Sequence, residues 1–487
     1  MELVENANLH VLFLPHLGPS HTISLVNAAR LFAAQGVKVT ILSTKYNSIL
    51  FQPSIDRAIE LGHDITVHNL KFPSAEVGLP EGIEHFAAAT TKEMLPKVHM
   101  AVLLLQKPME ELVQHLSPHC IISDKQLFWT CDLAEKLKIP RIMFYPESFI
   151  SHCLRHNLRQ YEPHMSVNSD SESFWIPGLP DKIEMKKSHL EDHMTKKSRY
   201  YEMIVKPMKE SELRSFGLVF DTFYELESQY ADYYEKARGV KCWTIGPLFY
   251  FSTRERTDTT ADGKDSCLDW LDTQGANQVL YVSFGGGVRF STAQLKEIAL
   301  ALEASNKPFI WVVKKRENDQ DNQQESWLPD GFEERITEGK KGLIMRRWAP
   351  QLKILNHPTI GGFMTHCGWN STMEAMTAGV PLITWPVFSE QFYNEKLAQV
   401  LKVGVSVGAD HWNLSPINEG PLVESRLMKE AICLLMGNSE KSQEIRKRAK
   451  EIAAMAERAV EEGGLSCQNL LGLIEALKLR AFGMSSH

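Results

Sequence analysis

Short apolar runs alternate with longer amphipathic stretches along most of the chain. His10 to Pro15 (HVLFLP) is apolar almost throughout and reads as a buried strand. The loop HLGPSH follows. Leu25, Ala28, Ala29 and Phe32 then share one face of a predicted helix, which Gly36 closes. VKVTILST is strand-like again. A strand–helix–strand order implies parallel pairing, because parallel strands need a crossover connection. The same alternation recurs in CIISD, DLAEKLK and PRIMFY.

The middle is less regular. YYEMIVKPMKESELRS reads as helix, FGLVFDTF as strand, and CWTIGPL follows. STRERTDTTADGKDS, residues 252–266, is polar without an apolar period and reads as a linker or surface loop. The alternation then restarts. QVLYVSFG, PFIWVV, GLIMRRW, GGFMTH and VPLITWP are predicted strands. STAQLKEIALALEAS is a predicted helix opened by a Ser291/Gln294 capping box. Residues 314–326 form a second exposed loop, and the charged tail from Glu424 onward is helical. The pattern predicts an α/β protein of two doubly wound parallel-sheet halves. Each half should bind ligands at the carboxyl ends of its strands, and two such halves facing a cleft make a favoured ligand site.

Composition narrows the partners. The chain has 487 residues, is 43% hydrophobic and 23% charged, and carries a formal net charge of −7. That is an ordinary globular composition, and it argues against a nucleic-acid surface. An anionic ligand would need local donors such as helix N-termini. The eight cysteines form no CxxC pair, which argues against zinc and thioredoxin-type chemistry and suits a reducing compartment. The first residues lack a basic region and a long apolar core, and no run approaches the ~20 apolar residues of a membrane span. The expected location is cytoplasmic.

Several strand ends carry candidate chemistry. After GGFMTH, Asn370 and Ser371 can cap the next helix, whose N-terminus attracts phosphate. His366 can add a donor. The competing readings are structural: Ser371-Thr-Met-Glu374 as a capping box, His366 as a satisfied core histidine, and Trp369 as core. Ser283-Phe-Gly-Gly-Gly287 also lies between strand and helix, where glycines let backbone approach a ligand or simply make a tight turn. His16 and His21 follow the first strand, and Asp124 ends CIISD. A His–Asp pair there would orient an imidazole as a general base, although such pairs are more often structural. Glu390 and Gln391 could bind sugar hydroxyls or merely begin a solvated helix.

Taken together, Trp348-Ala-Pro-Gln351, His366-Cys-Gly-Trp-Asn-Ser371, Glu374, Pro386 and Glu390-Gln391 resemble the donor-binding (PSPG) box of plant family-1 UDP-sugar glycosyltransferases. DLAEKLKIPRI, IPGLPDKIEM, FDTFYELE, WTIGPL and VLYVSFG extend the likeness over nearly the whole chain. The nearest likeness is to the triterpenoid and steroidal sapogenin branch. The resemblance implies a GT-B fold: an acceptor-binding domain over residues 1–246, a linker at 247–266, a UDP-sugar-binding domain over 267–460, and a C-terminal helix at 461–487 crossing back to the first domain. It implies that Trp348 stacks on uracil, Ala349 meets its polar edge, and Gln351 and Glu374 hold the ribose. His366, Asn370 and Ser371 would meet the diphosphate, with Ser283, Gly285 and Gly286 also on the donor. Trp369, Glu390, Gln391 and Ser148 would meet the sugar. His21 would be the catalytic base with Asp124 as its partner, and His16, Phe128 and Phe388 would line the acceptor pocket.

The implied reaction is inverting. His21 takes a proton from an acceptor hydroxyl, which attacks the anomeric carbon of an α-linked UDP-sugar and gives a β-glycoside. No metal and no further cofactor is implied, and the expected state is a monomer. Gln391 favours glucose as the sugar. The expected acceptor is a hydrophobic plant metabolite: a sapogenin or its glycoside first, a flavonoid or other phenol second. A non-catalytic nucleotide-sugar binder would have no need of His21 and Asp124, and a nicotinamide oxidoreductase would need GxGxxG where HLGPSH stands. Three places depart from the family pattern: Gly286, where Ser or Thr is usual, Lys125-Gln126 after Asp124, and Tyr145-Pro146-Glu147.

Overall fold

A computed structural model describes residues 8–89, 91, 93–196, 198–250, 266–313, 327–346, 349–414, 418 and 420–483. Most of the predicted linker (251–265), the predicted loop at 314–326 and Trp348 lie outside the described residues.

Among the described residues, fifteen strands form three sheets. The first holds β1 (His10–Leu14), β2 (Lys38–Thr44), β3 (Ile65–Leu70), β4 (Cys120–Asp124), β5 (Arg141–Tyr145), β8 (Gly217–Phe220) and β9 (Cys242–Thr244), in the order 3-2-1-4-5-8-9. Every pairing in it is parallel. The second holds β10 (Val279–Ser283), β11 (Phe309–Val312), β12 (Gly342–Met345), β13 (Ile360–Thr365), β14 (Leu382–Thr384) and β15 (Gly404–Ser406), in the order 12-11-10-13-14-15, again parallel. The remaining pair, β6 (Ser173–Ile176) and β7 (Ile183–Lys186), is an antiparallel hairpin.

The apolar runs explain the sheets. β1, β4, β5, β10 and β13 are buried at every position, as strands covered by helices on both faces must be. Each strand order reverses once, between β1 and β4 in the first sheet and between β10 and β13 in the second. A crevice for ligands opens at such a switch point, beyond the strands' carboxyl ends.

The chain divides into two compact units. One comprises Met1–Phe149, Ser198–Asp258 and Arg458–His487, and the other Ile150–Lys197 and Thr259–Glu457. In the first unit, α1 (Pro19–Ala34) packs Leu25, Ala28, Ala29 and Phe32 against β1, in the register its spacing predicts. The C-terminal helix α6 (Leu465–Phe482) returns to the same core. Leu470, Leu473, Ile474 and Leu477 are buried there, each worth roughly 1.5–3 kcal/mol of apolar burial. Its first turn is tied down as Ser466 Oγ donates to the Gly246 carbonyl at 2.6 Å and Asn469 Nδ2 donates to Thr244 Oγ1 at 2.9 Å.

The helices of the second unit that matter below are α3 (Thr292–Ser305), α4 (Trp369–Thr377) and α5 (Gln391–Val400), numbered with α2 (Phe149–Tyr161) in chain order. The predicted capping box of α3 is half formed. Ser291 Oγ accepts from the Gln294 amide at 3.2 Å, but the Gln294 side chain turns to Val423, donating to its carbonyl at 2.9 Å and accepting from its N–H at 2.8 Å. A two-bond clamp on a distant backbone outweighs the single local bond.

Candidate active site

In the first unit, chemistry gathers at the switch point. The chain leaves β1 through a turn in which Thr22 Oγ1 donates to the His16 carbonyl at 2.9 Å, and Gly18 is the N-cap of α1. His21 is therefore the third residue of α1, beside the end of β4, which pairs directly with β1. His21 Nδ1 donates to Asp124 Oδ2 at 2.7 Å, and Asp124 Oδ1 accepts from the Gln126 amide at 2.9 Å. Burial pushes the imidazole pKa down, but the charge and hydrogen bond of Asp124 outweigh it and hold His21 above its ordinary value. Burial likewise raises the Asp124 carboxyl, yet His21, His16 and the Gln126 N–H hold it below the usual range. With its proton on Nδ1, the ring keeps a lone pair on Nε2, the form a general base needs.

His16 stacks on Phe86, with ring centroids 6.2 Å apart, and meets His21 edge-on at 5.5 Å. Burial lowers its pKa to about 4, so it is neutral, and its Nδ1 has no hydrogen-bond partner. Phe128 is half-buried in the turn after β4, and Ser148 is buried after β5. Two of the departures noted in the sequence meet here, since Lys125 Nζ is paired with Glu147 Oε1.

The second unit repeats the plan with different groups. β13 ends at Thr365, and the chain turns through Cys367 at φ +64, where an L-residue is strained. Asn394 Nδ2 from α5 holds that turn by donating to the Cys367 carbonyl at 2.9 Å. α4 then starts at Trp369 with Gly368 as N-cap and no side-chain cap. The capping-box reading of Ser371 and Glu374 therefore fails, because both lie inside α4 and its N-cap is Gly368. Glu374 Oε2 instead accepts from Gln351 Nε2 at 2.7 Å, and the same amide donates to Ser371 Oγ at 3.1 Å. Two groups assigned to the ribose thus orient each other.

His366 lies between two glycines. A Cβ on Gly285, which has φ +69, would come within 2.8 Å of the imidazole, and one on Gly368 within 2.5 Å. Gly285, after β10, and Gly368, before α4, thus make room for this ring. Burial lowers the His366 pKa to about 4, and its Nδ1 is buried without a partner. It is not the satisfied core histidine of the bland reading. After Gly285, Arg289 Nη1 donates to the carbonyls of Gly286, Gly287 and Val288 at 3.2, 3.0 and 3.1 Å, so a side chain outside the glycines fixes their loop.

Near α5, Gln391 is buried. Its Oε1 accepts from the amides of Val387 and Phe388 at 2.9 and 3.0 Å, leaving the Nε2 hydrogens for a ligand. The solvated-helix reading is wrong for this residue. Glu390 Oε2 accepts from Ser389 Oγ at 2.5 Å. Trp369 and Ala349 are buried, Ser283 is buried at the end of β10, and Asn370 and Phe388 are half-buried. Among the described residues, no three of His, Cys, Asp and Glu come together as a metal ion would need.

Residues 10–416 match the UDP-glucoronosyl and UDP-glucosyl transferase family. The chain belongs to this family. It is 51% identical to nuatigenin 3-beta-glucosyltransferase of Solanum aculeatissimum over 484 residues, covering 96% of this chain and 97% of the relative. It is 47% identical to solanidine UDP-glucose glucosyltransferase 1 of Solanum tuberosum over 480 residues, with the same coverage. The crystal structure of Glycyrrhiza uralensis UGT73P12 complexed with glycyrrhetinic acid 3-O-monoglucuronide matches with a TM-score of 0.92 at 38% identity, covering 98% of this chain and 97% of that one. The chain is thus a GT-B UDP-glycosyltransferase, near the sapogenin branch, as its donor box suggests.

What the sequence of this UDP-glycosyltransferase does not reveal is how its polar groups pair. The Gln351–Glu374 bond and the Lys125–Glu147 pair join residues far apart in the chain, and the Gln391 clamp turns back on the loop before its own helix. The one available signal was positional: Lys125 and Glu147 each follow the end of a predicted strand, CIISD and PRIMFY.

Proposed function

We propose that this enzyme transfers glucose from UDP-glucose to a hydroxyl of a steroidal or triterpenoid sapogenin, or of its glycoside, with inversion to a β-glycoside. The observation that carries the acceptor is the 51% identity to nuatigenin 3-beta-glucosyltransferase over nearly the full length of both chains. The observation that carries the chemistry is the His21–Asp124 hydrogen bond, which leaves Nε2 to take the acceptor's proton.

In this reading the start of α4, with His366, Asn370 and Ser371, receives the diphosphate, where backbone amides and the helix dipole favour an anion. Gln351 and Glu374 hold the ribose, Ala349 and Trp348 hold the uracil, and Trp369, Glu390, Gln391 and Ser148 meet the sugar. Ser283, Gly285 and Gly286 complete the donor site. His16, Phe128 and Phe388 contribute apolar or neutral surface to the acceptor. No helix among the described residues is long and apolar enough to cross a membrane. All eight cysteines are free thiols, which suits the reducing cytosol. We take the active species to be a monomer.

The test is to incubate the purified chain with UDP-glucose, UDP-galactose and UDP-glucuronic acid against steroidal sapogenins, triterpenoids and flavonols, and to read products by mass. Glucosylated sapogenin as the main product is expected. Transfer confined to flavonols, or confined to another sugar, overturns the reading.

A further inference from the structure

Two buried charges adjoin the His21–Asp124 pair, and the reaction as drawn above gives them no part. Lys125 directly follows Asp124 and continues the ladder of β4 on β5, its amide donating to the Phe144 carbonyl at 3.2 Å. Glu147 comes two residues after β5 ends. Their side chains are 8% and 5% exposed, and they form an ion pair. A buried pair of this kind seldom adds net stability, because desolvating both charges offsets their attraction. Its place at the switch point therefore calls for another reason.

The charged and titratable neighbours of His21 come from every element packed around it. Asp124 and Lys125 lie at the end of β4, Glu147 beyond β5, and His16 in the loop after β1. His99, on the helix Met94–Leu104, reaches the group through His16. His16 is neutral. With His21 also neutral, Asp124, Lys125 and Glu147 leave one net negative charge. When His21 takes a proton, the cluster becomes neutral.

We propose that Lys125 and Glu147 are positioning residues that set the basicity of His21 through charge, Glu147 favouring the imidazolium and Lys125 opposing it. The proposal rests on His21 being the base proposed above. Asp124 raises the basicity of His21 through its charge and hydrogen bond. Lys125 limits that, and Glu147 keeps Lys125 from cancelling Asp124. Of the two, Lys125 has the larger influence on His21.

The experiment follows the His21 ring by NMR in the full chain with carbon-13-labelled histidine, its signal assigned by its loss in His21→Ala. The acidic limb of kcat/KM for transfer is measured alongside. Glu147→Gln removes a negative charge, so His21 should titrate lower by about 1 pH unit, and the limb should move down with it. Glu147→Asp keeps the charge and should leave both in place. The double variant Lys125→Met/Glu147→Gln removes opposed influences and should return both to the wild-type position or slightly above. Should Glu147→Gln not fold, Glu147→Ser carries the same charge change in a smaller side chain. If His21 titrates identically in all variants while His21→Ala still abolishes transfer, the proposal is overturned and the base assignment stands. If the NMR titration moves but the kinetic limb does not, the pair acts on His21, and the base assignment is what fails.

Discussion

His21 is bonded to Asp124, whereas His366 keeps a buried Nδ1 without a hydrogen-bond partner. Both histidines follow a central strand at a sheet's switch point, and their surroundings drive them apart. Asp124 lifts the first above its ordinary pKa, while burial with no compensating charge drops the second to about 4. The difference fits two tasks. A base must be oriented and tuned before its substrate arrives. A group that receives phosphate must keep its donor unused until the ligand supplies the acceptor, and a neutral ring does so without a standing buried charge.

The sharpest way to break this contrast is to remove the tuned partner. His21→Ala should cut transfer by about 10²–10⁴-fold, the range expected for losing a positioned base, with UDP affinity by calorimetry unchanged. Asp124→Asn should cost about 10²-fold and also reverse a sign. In wild type the raised His21 pKa means transfer falls off as pH drops through a value above 6.5. With a neutral amide, burial loses its main opponent and Lys125 outweighs Glu147, so the acidic limb should fall below 6.5. A limb that stays put in Asp124→Asn would remove Asp124 from its role.

The second region should respond differently. His366→Phe keeps the ring's bulk between Gly285 and Gly368 but removes its N–H. UDP should bind about 10-fold more weakly, as for one hydrogen bond to a charged group, while the acidic limb stays where it was. If the limb moves and UDP affinity does not, the roles of the two histidines are reversed.

Sequence patterning made the sheets legible because strands buried on both faces need apolar runs, and His10–Leu14, Cys120–Asp124 and Ile360–Thr365 supply them. The donor-box residues were legible because their spacing is long and specific. What stayed hidden was mostly a matter of partners. Ser371 and Glu374 have the spacing of a capping box, yet α4 begins two residues before Ser371, and Gln351 takes up both side chains. The β6–β7 hairpin was missed because SFWI and IEMK are short and flank a Pro-Gly-Leu-Pro turn that carries no apolar period. Lys125 and Glu147 stood out as unusual residues, but only the β4–β5 register shows that they pair.

The smallest predicted effect separates two uses of one side chain. Gln391 Oε1 clamps two backbone amides, so the contact with sugar proposed above must come from Nε2. Gln391→Glu preserves the clamp, because a carboxylate accepting two backbone N–H groups stays ionised and both its oxygens accept. It removes only the N–H donors. The KM for UDP-glucose should rise about 3–10-fold, the worth of one neutral hydrogen bond, with UDP affinity and melting temperature unchanged. Gln391→Met removes the clamp as well and leaves two buried amides unpaired, so it should also lower stability by about 1–3 kcal/mol. A Gln391→Glu enzyme with wild-type KM, beside a destabilised Gln391→Met, would mean that Gln391 shapes the loop before α5 and does not touch the sugar.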